Sequence, residues 1–305
     1  MRAIVSVGWG DDLMAVTELV SRLQFSSLEG KLVRVLERFQ TAAIATHPAL
    51  SEDILDRYVQ MQELEELEKL ASVQSRFSRQ GLKFATELKQ GISPANILIE
   101  LCDNENPDLV VVGCREKSFV EKVVSVGTGS VTRKLANHAK ENILVCRNVK
   151  KSTGKVNAVL ATDHSSFGQS CIESLVQFAP QGIGQLTIMT AYAKEFVEQI
   201  IKFQDNIHLD VTSWIESELH KKNEELAKTL APLNCECVSR VVGLAPEEAI
   251  AKTMEETGSE LLIMGSQGHG FLERMSMGSL SFDQIVSGQY SVMVLRNTQA
   301  PAAKA

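Results

Sequence analysis

Gly91-Ile-Ser-Pro94 and Gly243-Leu-Ala-Pro246 stand 152 residues apart, and the same spacing carries without a gap to Gly113 and Gly265. Between those marks the two copies read alike: a proline that opens a helix, an acidic turn, then a strand that is apolar throughout. The strands are Leu109-Val-Val-Val112 and Leu261-Leu-Ile-Met264. Proline at the first helical position removes an amide that would be orphaned there anyway. A strand without polar alternation is one covered on both faces, as in a parallel sheet. Leu98 and Cys102 occupy the core positions of the first helix at i and i+4, and Ile250 and Met254 those of the second. An internal repeat of this kind decides the architecture before any single residue does.

The repeat extends outward in both directions. The last strands, Ile143-Leu-Val-Cys-Arg147 and Val292-Met-Val-Leu-Arg296, correspond at a spacing of 149, so the first copy carries three additional residues before its Gly129-Ser130 pair. The first strands are Ala3-Ile-Val-Ser-Val7 and Ala158-Val-Leu-Ala-Thr162. An amphipathic helix follows each, with Leu13, Val16, Val20 and Leu23 in one copy and Ile172, Leu175, Val176 and Ala179 in the other. Strands Leu32-Val-Arg-Val-Leu36 and Leu186-Thr-Ile-Met-Thr190 come next. The alternation predicts an α/β fold of two tandem doubly wound domains, residues 1–150 and 151–305, each a parallel sheet with helices on both faces. The polar stretch from Asn148 to Lys155 is the expected linker, and the tail from Thr298 to Ala305 is expected to be loose. The charge run from Met61 to Leu70 reads as the solvated face of a helix, with an equivalent segment from Ser213 to Leu230.

Composition narrows the function classes. The 305 residues carry a formal charge of -7, so a polyanion meets net repulsion unless positive charge is concentrated locally. Aromatic residues make up 5%, too few for a stacking platform along single-stranded nucleic acid. No apolar run approaches the ~20 residues of a membrane span, and the apolar start is too short for a secretory core, so a cytoplasmic protein is expected. The six cysteines are dispersed rather than arranged as a disulfide scaffold. Cys235 and Cys237 are assigned to opposite faces of a strand, giving neither a zinc clamp nor a redox pair. The histidines at 47, 138, 164, 208 and 220 show no metal spacing.

The sharpest local feature is Gly265-Ser-Gln-Gly268-His-Gly270, followed by Gly278-Ser279 and a helix from about Leu280. It follows a buried strand, and in an open parallel sheet such a loop faces the ligand crevice, where backbone amides converge with a helix N-terminus. Gly268 and Gly278 are expected to turn with positive φ and to let phosphate oxygens approach the backbone, while Ser279 and Ser281 add hydroxyl donors. Asp163 ends the first strand of the same copy. If that strand lies beside the one ending at Met264 and Gly265, its carboxylate shares the crevice and can accept from a base amine or a ribose hydroxyl. As a purely structural residue it would cap the following helix, a role that Ser165 or Ser166 can also fill. His269 reads as a solvated loop histidine, since acid–base work needs an oriented partner.

These residues resemble those of the universal stress protein family, in a tandem two-domain form. The family motif, a glycine, two residues, a glycine, nine residues, then glycine and serine, is matched by Gly265, Gly268, Gly278 and Ser279, and family members also begin with a strand ending in aspartate, as at Asp163. The resemblance implies a five-stranded sheet of order 3-2-1-4-5 in each domain. It also implies pairing of the final strands, either as an intrachain pseudo-dimer or in a homodimer. For the ATP-binding branch it implies a nucleotide, with or without Mg²⁺, held by Asp163, Met264, Gly265, Gly268, Gly278, Ser279, Leu280 and Ser281.

The first copy departs from the motif. Gly8 stands where the acidic residue belongs, Glu116 replaces the second glycine, and the loop is three residues longer, although Gly127, Gly129 and Ser130 are retained. A single adenine-nucleotide site, in the second domain of a regulatory protein, is therefore expected. No Gly-Lys-Ser/Thr phosphate loop or assigned base supports fast hydrolysis, which leaves at most a weak ATPase. The competing reading is a scaffold that binds no nucleotide.

Overall fold

The computed structural model describes residues 1–8, 11–37, 52–114, 131–147, 154–195, 197, 211–267 and 277–296. The chain divides into two compact units, one built mainly from Met1–Ser21 and Ser27–Val149, the other mainly from Lys150–Gln284 and Tyr290–Ala305.

In the first unit the elements are β1 (Arg2–Ser6), α1 (Asp11–Leu23), β2 (Glu29–Glu37), α2 (Glu52–Ser78), β3 (Lys83–Gly91), α3 (Pro94–Glu105), β4 (Leu109–Gly113), α4 (Val131–His138) and β5 (Asn142–Cys146). All pairings are parallel, in the order β3-β2-β1-β4-β5. The second unit repeats the series with β6 (Val156–Ala161), α5 (Ser166–Phe178), β7 (Ile183–Ala191), α6 (Val211–Thr229), β8 (Glu236–Val242), α7 (Pro246–Thr257), β9 (Leu261–Gly265), α8 (Ser279–Ser287) and β10 (Ser291–Leu295). Its order is β8-β7-β6-β9-β10. Each unit is thus a doubly wound α/β sheet of order 3-2-1-4-5, as the resemblance implied.

The local reasons are those of the sequence. Both α3 and α7 begin with proline. Ser93 caps α3 by accepting from the amide of Asn96, whereas α7 has no side-chain cap and instead carries Glu247 and Glu248 in its first turn, where the helix dipole favours negative charge. Leu98, Cys102, Ile250 and Met254 are buried, as are Leu109 to Val112 and Leu261 to Met264. Burial holds the Cys102 thiol up at about 12, with nearby Glu141 adding to the shift, so it behaves as a core residue.

Two expectations need correction. The run on α2 is not wholly solvated: Leu64 and Leu67 are exposed, but Glu66 is buried and accepts from Arg34 Nε at 3.0 Å. Leu70 is buried, and Glu66, four residues before it on the same helix face, is carried in with it. Cys235 and Cys237 lie close enough for their thiols to interact, and the neighbouring Cys235 lowers the Cys237 thiol. Residues two apart along a strand share a face, so assigning them to opposite sides was wrong.

Candidate functional site

The rim of the second unit is set by strand register. In the parallel ladders Ala161 lies opposite Met264 on one side and Met189 on the other, and Gly265 lies opposite Leu295. The carboxyl ends of β6, β7, β9 and β10 therefore open along one edge. Strand β6 is the point where the connections change direction, the place where open α/β sheets bind ligands.

Asp163 stands at that edge, half-buried in the turn between β6 and α5. Its Oδ1 accepts from the Ser165 amide at 3.0 Å and from the Ser165 hydroxyl at 2.7 Å, while Ser165 Oγ accepts from the Gly168 amide at 3.1 Å. Ser165 is thus the N-cap of α5, and Asp163 braces it. His164, between them, adopts a left-handed conformation with φ of 56°.

The glycine loop leaves β9 and returns to α8 at one stem. The Gly278 amide donates to Ser266 O at 2.7 Å, the Ser266 amide to Leu295 O at 2.8 Å, and the Phe282 amide to Gly278 O at 2.9 Å. Ser281 Oγ donates to Gly265 O at 2.8 Å, with Ser281 only 3% exposed. Its hydroxyl ties the helix to the strand end, whereas Ser279 is exposed at the first position of α8. Leu280 is half-buried, and Met264 is buried in β9. Gly268 and His269 lie outside the described residues, as do Glu116, Gly127, Gly129 and Ser130 of the first copy.

Gly278 does not turn with positive φ, contrary to expectation, because its carbonyl already accepts the first bond of α8 and its backbone is close to helical entry. Among the described residues a Cβ built there would meet nothing nearer than Ser266 O at 3.4 Å, and one at Gly265 nothing nearer than Gln267 O at 3.4 Å. Both are ordinary contacts, so nothing among the described residues demands glycine at either position. Beneath Gly265, Cys171 is buried, and desolvation holds its thiol up at about 12.

Asp12 lies against the matching strand ends of the first unit. A Cβ on Gly113 would lie 2.8 Å from both Cβ and backbone O of Asp12, and one on Gly8 would lie 3.0 Å from Asp12 Cβ and 3.2 Å from its Oδ2. The first turn of α1 therefore packs directly onto the ends of β1 and β4 and brings a carboxylate with it. Sequence reading missed Asp12 because nothing local shows which turn of a helix touches a strand end.

Among the described residues no group of His, Cys, Asp and Glu is placed to hold a metal ion, and no helix is long and apolar enough to cross a membrane.

Known proteins bear on this arrangement. A sequence model of the universal stress protein family matches residues 32–147 and 157–296. A curated universal stress protein of Methanocaldococcus jannaschii is 31% identical over 84 residues, which cover 28% of this chain and 47% of that relative. The chain thus spans about half the length of the curated relative it matches. The crystal structure of a universal stress protein from Archaeoglobus fulgidus is similar over 97% of this chain and 98% of its own, with a TM-score of 0.61 and 18% identity. A universal stress protein structure from Pseudomonas aeruginosa is similar over 97% and 93%, with a TM-score of 0.57 and 12% identity. Both likenesses are of fold. With one family model covering the greater part of both copies, the chain belongs to the universal stress protein family.

Proposed function

We propose that the second unit binds ATP or a related adenine nucleotide, and that occupancy regulates the conformation of the protein or its association with partners. Asp163 takes the base or ribose side. Gly265, Gly268 and Gly278 leave the main chain bare for the phosphates, and Ser279 with the first amides of α8 donates to them. The observation that carries this reading is the contrast between the two rims. Among the described residues nothing crowds a Cβ at Gly265 or Gly278, beside a braced carboxylate, whereas at the equivalent strand ends of the first unit a Cβ on Gly113 or Gly8 would meet Asp12. A glycine without a steric or conformational reason is explained by a ligand that approaches its backbone.

One nucleotide per chain follows, with Mg²⁺ carried on the phosphate oxygens. Pairing of the last strands, within the chain or between two chains, is the output that occupancy would adjust. The test is mass spectrometry of small molecules released by denaturing the purified protein, followed by titration of the stripped chain with ATP. Release of an adenine nucleotide and a stoichiometry near one support the proposal. Two equal sites overturn the assignment to the second unit, and no binding at all leaves the scaffold reading.

A further inference from the structure

The side chain of His164 points away from solvent into a chain of polar groups that the nucleotide site, as proposed above, does not use. Its Nε2 lies 2.9 Å from Asn223 Oδ1 and 3.1 Å from Thr190 Oγ1, and the Thr190 hydroxyl donates to Asn223 Oδ1 at 2.8 Å. The other end of the same amide, Asn223 Nδ2, donates to Ile188 O at 3.2 Å, Ser239 Oγ at 3.1 Å and Arg240 O at 3.4 Å. Ser239 in turn meets His220 Nδ1 at 2.7 Å. One side chain of α6 thus ties together β7, β8 and the turn after β6.

The chemistry of these partners fixes the protons. Two of the three groups at Asn223 Nδ2 are backbone carbonyls, which only accept, so the amide nitrogen must face them and its oxygen must face His164. That oxygen also only accepts. Nε2 of His164 therefore carries a hydrogen, and the neutral ring is the Nε2–H tautomer.

Two further observations show that this clamp is more than filling. Asn223 is fully buried and is the one buried residue of α6, on a helix face where an apolar residue would pack as well without needing partners. His164 holds a left-handed backbone, which is unfavourable for a non-glycine residue and persists only where the surroundings enforce it. That backbone turn is what carries the chain from Asp163 to the capping Ser165.

We infer that His164 and Asn223 are positioning residues for the ligand site of the second unit, with the Asn223 amide anchoring the His164 ring so that Asp163 is presented at the rim. The inference rests on the nucleotide reading above and adds to it the residues that set its carboxylate. An imidazole anchored at Nε2 holds the Thr162-to-Ser165 turn, where Thr162 Oγ1 accepts from the His164 amide at 3.1 Å, in one conformation before ligand arrives.

The experiment uses the full chain. ATP affinity is measured by calorimetry at neutral pH for the wild type, His164→Ala, His164→Gln and Asn223→Leu, alongside thermal melts and the imidazole nitrogen spectrum of the wild type. His164→Ala is expected to weaken ATP binding about tenfold, the worth of one net hydrogen bond at the upper end of its range. His164→Gln, whose side-chain amide can donate to Asn223, is expected to recover most of that loss. A purely structural histidine would lower the melting temperature without this separation between alanine and glutamine in affinity. The nitrogen spectrum is expected to show Nε2–H with a bare Nδ1. Wild-type binding that His164→Ala leaves within about twofold overturns the positioning role alone. A neutral ring protonated at Nδ1 also overturns it, even if Asn223→Leu fails to fold. A wild-type chain that does not bind ATP overturns the nucleotide reading itself, and this role with it.

Discussion

Both units face the same packing problem at the end of their first strand, and they solve it with different chemistry. Register makes the positions comparable. Val33 lies opposite Ser6 in the first unit and Met189 opposite Ala161 in the second, so Arg34 and Thr190 are equivalent. In the first unit Arg34 reaches Glu66 on α2 at 3.0 Å and Val7 O, at the end of β1, at 3.4 Å. In the second, Thr190 and Asn223 hold the His164 ring. An ion pair between half-buried Arg34 and buried Glu66 stands at one strand end, and a neutral polar clamp at the other. The difference teaches that a duplicated scaffold can keep its long helix anchored to the first strand in either way.

The comparison can be broken most severely at the ion pair. Removing Glu66 leaves the Arg34 guanidinium short of its closest partner in a largely dry site, so Glu66→Leu is expected to cost about 3 kcal/mol of stability, read from denaturant unfolding, with ATP affinity unchanged. Loss of nucleotide binding in that variant would mean that the first unit contributes to the site. Gly278→Ala should do the reverse. Among the described residues its methyl group meets nothing nearer than 3.4 Å, so the melting temperature should hold while ATP affinity falls by about a hundredfold, or roughly 2.7 kcal/mol. Asp163→Ala is expected to weaken binding by about 1.5 to 3 kcal/mol, the range for a hydrogen bond to a charged group. The equivalent strand-end glycines sharpen the contrast further. Gly113→Ala drives a Cβ to 2.8 Å from the Asp12 backbone and is expected to destabilise by about 1 to 3 kcal/mol, whereas Gly265→Ala should be close to neutral in unfolding experiments.

The smallest effect is the pH dependence of the neutral clamp. Burial lowers the His164 pKa from its ordinary 6.5; the hydrogen bond to Asn223 and the charges of Asp163 and Glu225 oppose this, and Lys222 adds to it. The unfolded chain therefore takes up this proton first as pH falls. The contribution to stability is fully present above the ordinary value and is lost as pH drops through it toward the lower folded value. Melting curves between about pH 8 and pH 5 should show a steeper acid-side decline in the wild type than in His164→Gln. Parallel curves would show that His164 titrates alike in the folded and unfolded chains.

Legibility followed the range of the interaction concerned. The apolar runs at Leu109 to Val112 and Leu261 to Met264, the prolines at 94 and 246, and the two-fold repeat were readable because periodicity and helix-start chemistry are local. The adjacency of the carboxyl ends of β6 and β9 was also readable, since the doubly wound order brings those strands together. Ser281 was misread because its hydroxyl faces a carbonyl sixteen residues earlier in the chain, across the rim. Glu66 looked like one more solvated charge, since the spacing that buries Leu70 does not by itself say which neighbouring turn goes inward.

The sequence by itself determined the duplicated α/β series, the net negative charge, and the presence of an intact glycine motif in one copy against a degraded one in the other. Only the tertiary structure decided that Asp12 lies against Gly8 and Gly113, that Ser165 caps α5 with Asp163 as its brace, and that Asn223 meets the His164 ring. Those outcomes depend on the rotation of each helix about its axis and on strand register. Both are set by packing over the whole unit, and neither is written in any short stretch of chain.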